Sequence, residues 1–225
     1  MQDFAEIIVI DDFSTDGTAE IAKKFNAKIF EVPWQGYAKQ KQAGIDRAAQ
    51  PWVLVLDSDE RVTEALGKDI AAAVSGAEYR GYYIPRKNFF LGKWIRYGGW
   101  WPDYTLRLFR KDSAHMEQRE VHEKIVVNGD TSRLKNPMEH FTYRTISDYV
   151  KKMDNYSTLA ARELKGKGVS FKPWHLFLKP PATFLRMLLL QQGFRDGFYG
   201  LILAMLYSFY TFLKYLKLRE MQKNT

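Results

Sequence analysis

Along the first third of the chain, apolar residues alternate between short unbroken runs and helical spacing. Ile7-Ile8-Val9-Ile10 is such a run and predicts a strand over residues 6–10. Ile21, Ala22 and Phe25 then recur at helical spacing, which predicts a helix over 18–26. A second strand is expected at 28–32. Ala38, Lys41 and Ile45 line one side of a helix at 37–49. The Val-rich run 52–56 is a third strand, and a further helix runs from 63 to 75. Strand, helix, strand, helix, strand is the pattern of a parallel α/β sheet. Ligands of such sheets bind beyond the carboxyl ends of the strands. After Gly81 the pattern changes. Strands are expected at 82–85, 105–109 and 124–127, around an aromatic and Gly-rich stretch at 86–104, and a helix at 147–164. Residues 33–36 read as a loop.

The far end of the chain is apolar in a different way. Gly197 to Leu213 carries no charge over 17 residues, the lower limit for a membrane-spanning helix. A shorter apolar segment at 181–194 is interrupted by Arg186, and Arg195-Asp196-Gly197 is the joint between the two. Three arrangements are open: an interfacial amphipathic hairpin, a span, or helices packed on the body. Basic residues among aromatics favour the interface. No signal peptide is expected from the polar start of the chain.

Composition narrows the class. Of 225 residues, 46% are hydrophobic and 27% charged, which excludes collagen-like and disordered chains. Cys is 0, so there is no disulfide framework, no Cys-based zinc site and no thiol nucleophile. The net charge of +8 is unevenly spread. Residues 1–149 hold 21 Lys+Arg against 22 Asp+Glu, and residues 150–225 hold 13 against 4. A near-neutral body with a basic appendage fits an anionic membrane surface better than nucleic acid, and no nucleic-acid partner is expected. The division expected is a catalytic domain at 1–146 and a basic, apolar helical region at 147–225.

Two acidic clusters fall where the strands end. Asp57 and Asp59 share a direction if the strand continues, since side chains alternate with period two. Such a pair can hold Mg²⁺ or Mn²⁺, which bridges and neutralises a diphosphate; a solvated turn before the helix is the plainer reading. Carboxylates at Asp11 and Asp12 can accept hydrogen bonds from a nucleobase or ribose. Thr15 or Asp16 can cap the helix that follows.

The run Val9-Ile10-Asp11-Asp12-Phe13-Ser14-Thr15-Asp16-Gly17-Thr18 resembles the nucleotide-sugar motif of the family 2 glycosyltransferases. Gln40-Lys41-Gln42 and Trp52-Val53-Leu54-Val55-Leu56-Asp57-Ser58-Asp59-Glu60-Arg61 are similar to the next two blocks of that family, in order and spacing. Pro85 to Gly92, Leu106-Arg107-Leu108-Phe109-Arg110 and Val121-His122-Glu123 resemble one branch, the β-1,4-glucosyltransferases that act on lipopolysaccharide-core heptose. The resemblance implies a GT-A fold: a Rossmann-like, mostly parallel sheet flanked by helices, here with a C-terminal membrane-associating helical appendage. It implies inverting transfer of a hexose, glucose, from a UDP-sugar to a lipid-linked saccharide at the cytoplasmic face of the bacterial inner membrane. Transfer to a polyprenyl phosphate is the second enzyme reading, and a membrane-bound remnant without donor binding is the third.

The resemblance also implies roles. Asp11 and Asp12 would contact uridine, and Asp57 and Asp59 the metal on the diphosphate. Lys41 would lie on the nucleotide side of its helix or on a solvated face. Glu123 would be the acceptor base, with Glu120 its competitor and His122 beside it. Arg107 and Arg110 would grip phosphate or face solvent from their strand. Family members begin with a further strand and helix before the stretch corresponding to Phe4-Ala5-Glu6, so the catalytic domain is expected to be N-terminally truncated.

Overall fold

A computed structural model describes residues 6–117 and 124–223. The chain forms two compact units. The first comprises residues 1–85 and 104–138, the second 86–103 and 139–225. The aromatic stretch therefore groups with the C-terminal helices, where the sequence suggested a boundary at 146/147.

The first unit begins with β1, Ile8–Asp11, and β2, Lys28–Glu31, paired in parallel with Ile8 opposite Lys28 and Asp11 opposite Glu31. The crossover is α1, Thr18–Lys23. Next comes α2, Tyr37–Arg47, which enters through Gly36 at φ 98°, a conformation side chains disfavour. It lies tight on β1: a Cβ at Gly44 would meet Ile10 Cγ1 at 3.3 Å. The third strand, β3, is Trp52–Leu54. It is followed by the two-residue β4, Glu60–Arg61, and by α3, Glu64–Gly76, whose N-terminus is capped by Thr63 Oγ1 accepting from Leu66 N at 3.2 Å.

The remaining strands are β5, Gly81–Phe90; β6, Lys93–Trp94; β7, Asp103–Arg110; β8, Ala114–Glu117; β9, Lys124–Val127; β10, Thr131–Arg133; and β11, Met138–Tyr143. Seven strands join in one sheet in the order β3-β7-β5-β11-β4, with β10 and β6 on β5; β1–β2 and β8–β9 are separate pairs. The fold is α/β, as expected, but the sheet is mixed. β3 runs antiparallel to β7, with Leu54 opposite Leu108, whereas the alternating pattern suggested a parallel neighbour. Periodicity reports which face a residue buries, not the direction of the strand beside it. Two cores fill this unit. One is Leu66, Ile70, Tyr82, Ile84, Leu108, Leu134 and Met138; the other is Ile45, Leu106, Phe109, Met116 and Ile125.

In the second unit, α4, Ile146–Gly166, opens with a capping box: Thr145 Oγ1 accepts from Asp148 N, and the Asp148 carboxylate accepts from Thr145 N. Then come α5, Trp174–Leu185, a π-turn at Arg186–Leu190, a 3₁₀ turn at Gly193–Asp196, and α6, Phe198–Lys223. The joint at 195–197 lies where the sequence put it. Asp196 ties it down by accepting from Tyr97 N at 2.8 Å and Arg96 N at 3.1 Å. Phe90, Ile95, Trp100, Tyr149, Met153, Met187, Leu203 and Ala204 form the core. By length and composition α6 is able to cross a membrane, yet only 22% of its most apolar window is buried.

Candidate functional site

The acidic ends of β1 and β3 are built differently. Asp11 is buried and turns inward on its own loop: its carboxylate accepts from Ser14 N at 2.8 Å and from Ser14 Oγ at 2.5 Å. It closes the turn. Asp12 is exposed and accepts from Trp34 N at 2.9 Å, joining the end of β1 to the loop after β2. Trp34 and Tyr37 sit edge to face with ring centroids 4.7 Å apart, and both are about half exposed. A carboxylate beside two open aromatic rings suits a planar, hydrogen-bonding group such as a nucleobase. In the sequence 33–36 is only a loop, with nothing to mark Trp34.

The end of β3 is a charge cluster. Asp57 Oδ1 lies 2.9 Å from Lys41 Nζ on α2, and Asp57 Oδ2 lies 2.5 Å from the Arg107 guanidinium on β7. The same Arg107 nitrogen reaches Glu60 Oε1 at 2.6 Å. Glu60 Oε2 accepts from Asp57 N at 3.0 Å, closing the ring. The Glu60 side chain is 0% exposed and that of Arg107 6%. Burial acts to raise the Asp57 carboxyl, but Arg107 and Lys41 outweigh it and hold it down to about 2. Burial opposes the Arg107 charge as well; Glu60 and Asp57 overcome that and push its pKa up. Asp57 therefore stays ionised throughout the neutral range.

Lys41, Asp57 and Arg107 are thus brought together, although Arg107 faces inward, onto carboxylates. Arg110 pairs with Asp112 at 2.9 Å. Glu120, His122 and Glu123 lie outside the described residues. Glu60 stands in the run at 52–61 but carries no role in the sequence, where only Asp57 and Asp59 are marked by their spacing.

A divalent cation meets a particular donor set here. Among the described residues, no group of three or more His, Asp or Glu could hold a metal ion. Both oxygens of Asp57 already face cations. These residues do not make an all-protein cage. A cation arriving on a diphosphate needs only one or two carboxylates, and Asp59, partly buried two residues on, fits that requirement.

The family model described as glycosyl transferase family 2 matches residues 2–136. The lipopolysaccharide core biosynthesis glycosyltransferase LpsC of Rhizobium meliloti is 30% identical over 229 residues, covering 96% of this chain and 83% of that protein. An uncharacterized glycosyltransferase of Rickettsia typhi is 28% identical, covering 96% of this chain and 78% of its own. Among solved structures, that of residues 1–349 of S. aureus TarS in complex with UDP-GlcNAc aligns with a TM-score of 0.47 at 14% identity, over 98% of this chain and 83% of that one.

Proposed function

Since the chain belongs to glycosyl transferase family 2 and is a glycosyltransferase, we propose that it moves a hexose, glucose, from a UDP-sugar to lipopolysaccharide inner-core heptose. The work is done at the cytoplasmic face of the bacterial inner membrane. The observation that carries the donor side is the pair of acidic strand ends in one unit, with Asp57 held ionised between Lys41 and Arg107. The likeness to LpsC supports the core acceptor.

Asp12 accepts hydrogen bonds from the uridine, and Trp34 and Tyr37 offer the base their rings. Asp11 keeps the turn that aims Asp12. Lys41 lies along the diphosphate and Asp57 fixes it there. Asp59 would hold Mg²⁺ or Mn²⁺, which when bound would supply positive charge against the diphosphate. Arg107, in this reading, positions Asp57 and leaves the phosphates to Lys41 and the metal. Arg110, at the strand end, would exchange its Asp112 partner for acceptor phosphate. The acceptor hydroxyl attacks the anomeric carbon from the face opposite UDP. The new C–O bond forms as the bond to UDP breaks, and the hydroxyl proton passes to Glu123, with Glu120 the alternative and His122 alongside. The product is inverted.

Calorimetric titration of UDP with and without Mn²⁺ tests the donor side. Binding is expected to require the folded chain and to be strengthened by Mn²⁺. Asp12→Asn weakens it in both conditions, whereas Asp59→Asn removes the Mn²⁺ effect alone. Binding that ignores Asp12 and Asp59 would sink the assignment, and no binding at all points to a remnant. Product that partitions into organic solvent as a polyprenyl glycoside overturns the heptose acceptor.

A further inference from the structure

The two long C-terminal helices have sides of opposite character. On one side α6 packs along α4 and α5. Tyr207 meets Tyr149 with ring centroids 6.5 Å apart, Lys217 Nζ pairs with Asp154 at 2.6 Å, and Lys165 Nζ donates to Met221 O at 2.8 Å. These contacts carry α4 alongside α6 for most of its length. On the other side α6 exposes Phe198, Leu201, Met205, Phe209 and Leu216, separated by three, four, four and seven residues. That spacing is a single stripe. On α5 and the π-turn the exposed set is Trp174, Phe177, Leu178, Leu185, Leu189 and Leu190, with Phe177 74% and Leu190 80% exposed. Scattered apolar residues are ordinary on a surface; two adjacent helices carrying such stripes are not.

Cations accompany the stripes. From Phe171 to Arg219 there are seven Lys and Arg against one acid, Asp196, and Asp196 is engaged by backbone amides. Lys172, His175 and Lys179 crowd the start of α5. Lys214 sits over the rings of Tyr215 and Tyr210, at 5.1 and 5.8 Å. No ion pair joins Lys172, Lys179 or Lys214 to a carboxylate among the described residues. Burial and then Lys179 pull Lys214 below its ordinary range, and Glu163 offsets this only in part; burial, Lys179 and Lys172 lower His175. Positive potential therefore accumulates around Lys172, Lys179 and Lys214, with no ion-pair partner for them among the described residues.

We infer that this face docks in the headgroup layer of a bilayer containing anionic phospholipid, with α5 and α6 lying in the membrane plane. The inference rests on the membrane address in the reading above and gives it a surface. A span is excluded by α4. With 26 residues, α6 is about 39 Å long and could cross. It would take α4, with its seven charged side chains, into the hydrocarbon beside it, where charges are costly.

The absence of cysteine allows single thiol probes in the full chain. Fluorescent labels at Trp174→Cys, Leu190→Cys, Met205→Cys and Phe209→Cys would be read against depth-graded quenchers, in phosphatidylcholine vesicles with and without phosphatidylglycerol. All four are expected at one shallow depth, about 5–10 Å below the headgroups, when phosphatidylglycerol is present. A depth that peaks at Met205 means a span and overturns the inference. The double variant Leu190→Asp/Phe198→Asp, altered only at exposed positions, should keep its circular dichroism and lose vesicle binding by at least about tenfold. Lys179→Glu should weaken binding to anionic vesicles by about fivefold and leave neutral ones unchanged. Vesicle binding that survives the double variant overturns the inference, as does a dimer that this variant splits while lipid binding is unaffected. Loss of vesicle binding with UDP affinity intact rejects the docking face alone. The reverse result rejects the donor reading alone.

Discussion

Arg107 links the candidate site to the interior of its unit. One guanidinium satisfies Asp57 at the edge of solvent and Glu60 inside. Removing one partner of a buried pair leaves an uncompensated charge. Glu60→Gln is therefore expected to cost about 3–5 kcal/mol, and Asp57→Asn less, because its side chain is 33% exposed; urea midpoints would measure both. The same ring makes stability depend on acid. Folding lowers the Asp57 pKa from 3.8 to about 2. Its contribution is full above the unfolded value and is lost as pH falls through the folded one. After discounting for exposure it is about 1–2 kcal/mol. The urea midpoint should fall between about pH 5 and pH 2, and Asp57→Asn should flatten that fall. An unchanged slope in the variant would remove Asp57 from the account. Much of this was not readable in advance. Asp57-Ser58-Asp59 stood out because chain order puts it after a strand. Glu60 did not, since its partner lies 47 residues away and burial of a lone Glu leaves no local mark. Trp34 was hidden for a similar reason: its amide meets Asp12 only once β1 and β2 pair.

Elements were easier to foresee than their partners. The helices α1 to α4 fall where apolar spacing put them, and β1 to β3 where the apolar runs are. Ends were shorter than expected at α1, which stops at Lys23, and at α2, which stops at Arg47. α5 starts earlier than the apolar count suggested, at Trp174, and runs through Pro180 and Pro181. Pairing was less legible. β3 finds an antiparallel neighbour in β7, a strand from much later in the chain, and no window over one element contains that information. Caps are the exception, since they are local chemistry. Thr145 and Asp148 close the start of α4 reciprocally. Thr145→Ala is expected to cost about 1 kcal/mol, and Thr145→Ser to recover most of it in the same denaturation assay. An equal loss in both would mean that the methyl group, not the hydroxyl, matters there.

At the scale of the whole chain, charge and apolarity divide the labour. The acidic pairs and their cations occupy the first unit, while the surplus of basic residues follows residue 149. The sequence showed that division but left three arrangements for the apolar helices. Packing of α4 along α6 is what speaks against a span in the docking proposed above. The exposed stripes on α5 and α6 carry a kinetic corollary. An enzyme held in a lipid layer searches in two dimensions, so its acceptor is counted per unit of surface and not per unit of volume. With acceptor held at a fixed bulk amount in anionic vesicles, added inert lipid should slow turnover as it dilutes the layer. Adding the same volume of buffer should barely change it. Soluble donor should show the ordinary dependence on concentration throughout, so a single preparation would obey two different measures of how much substrate is present.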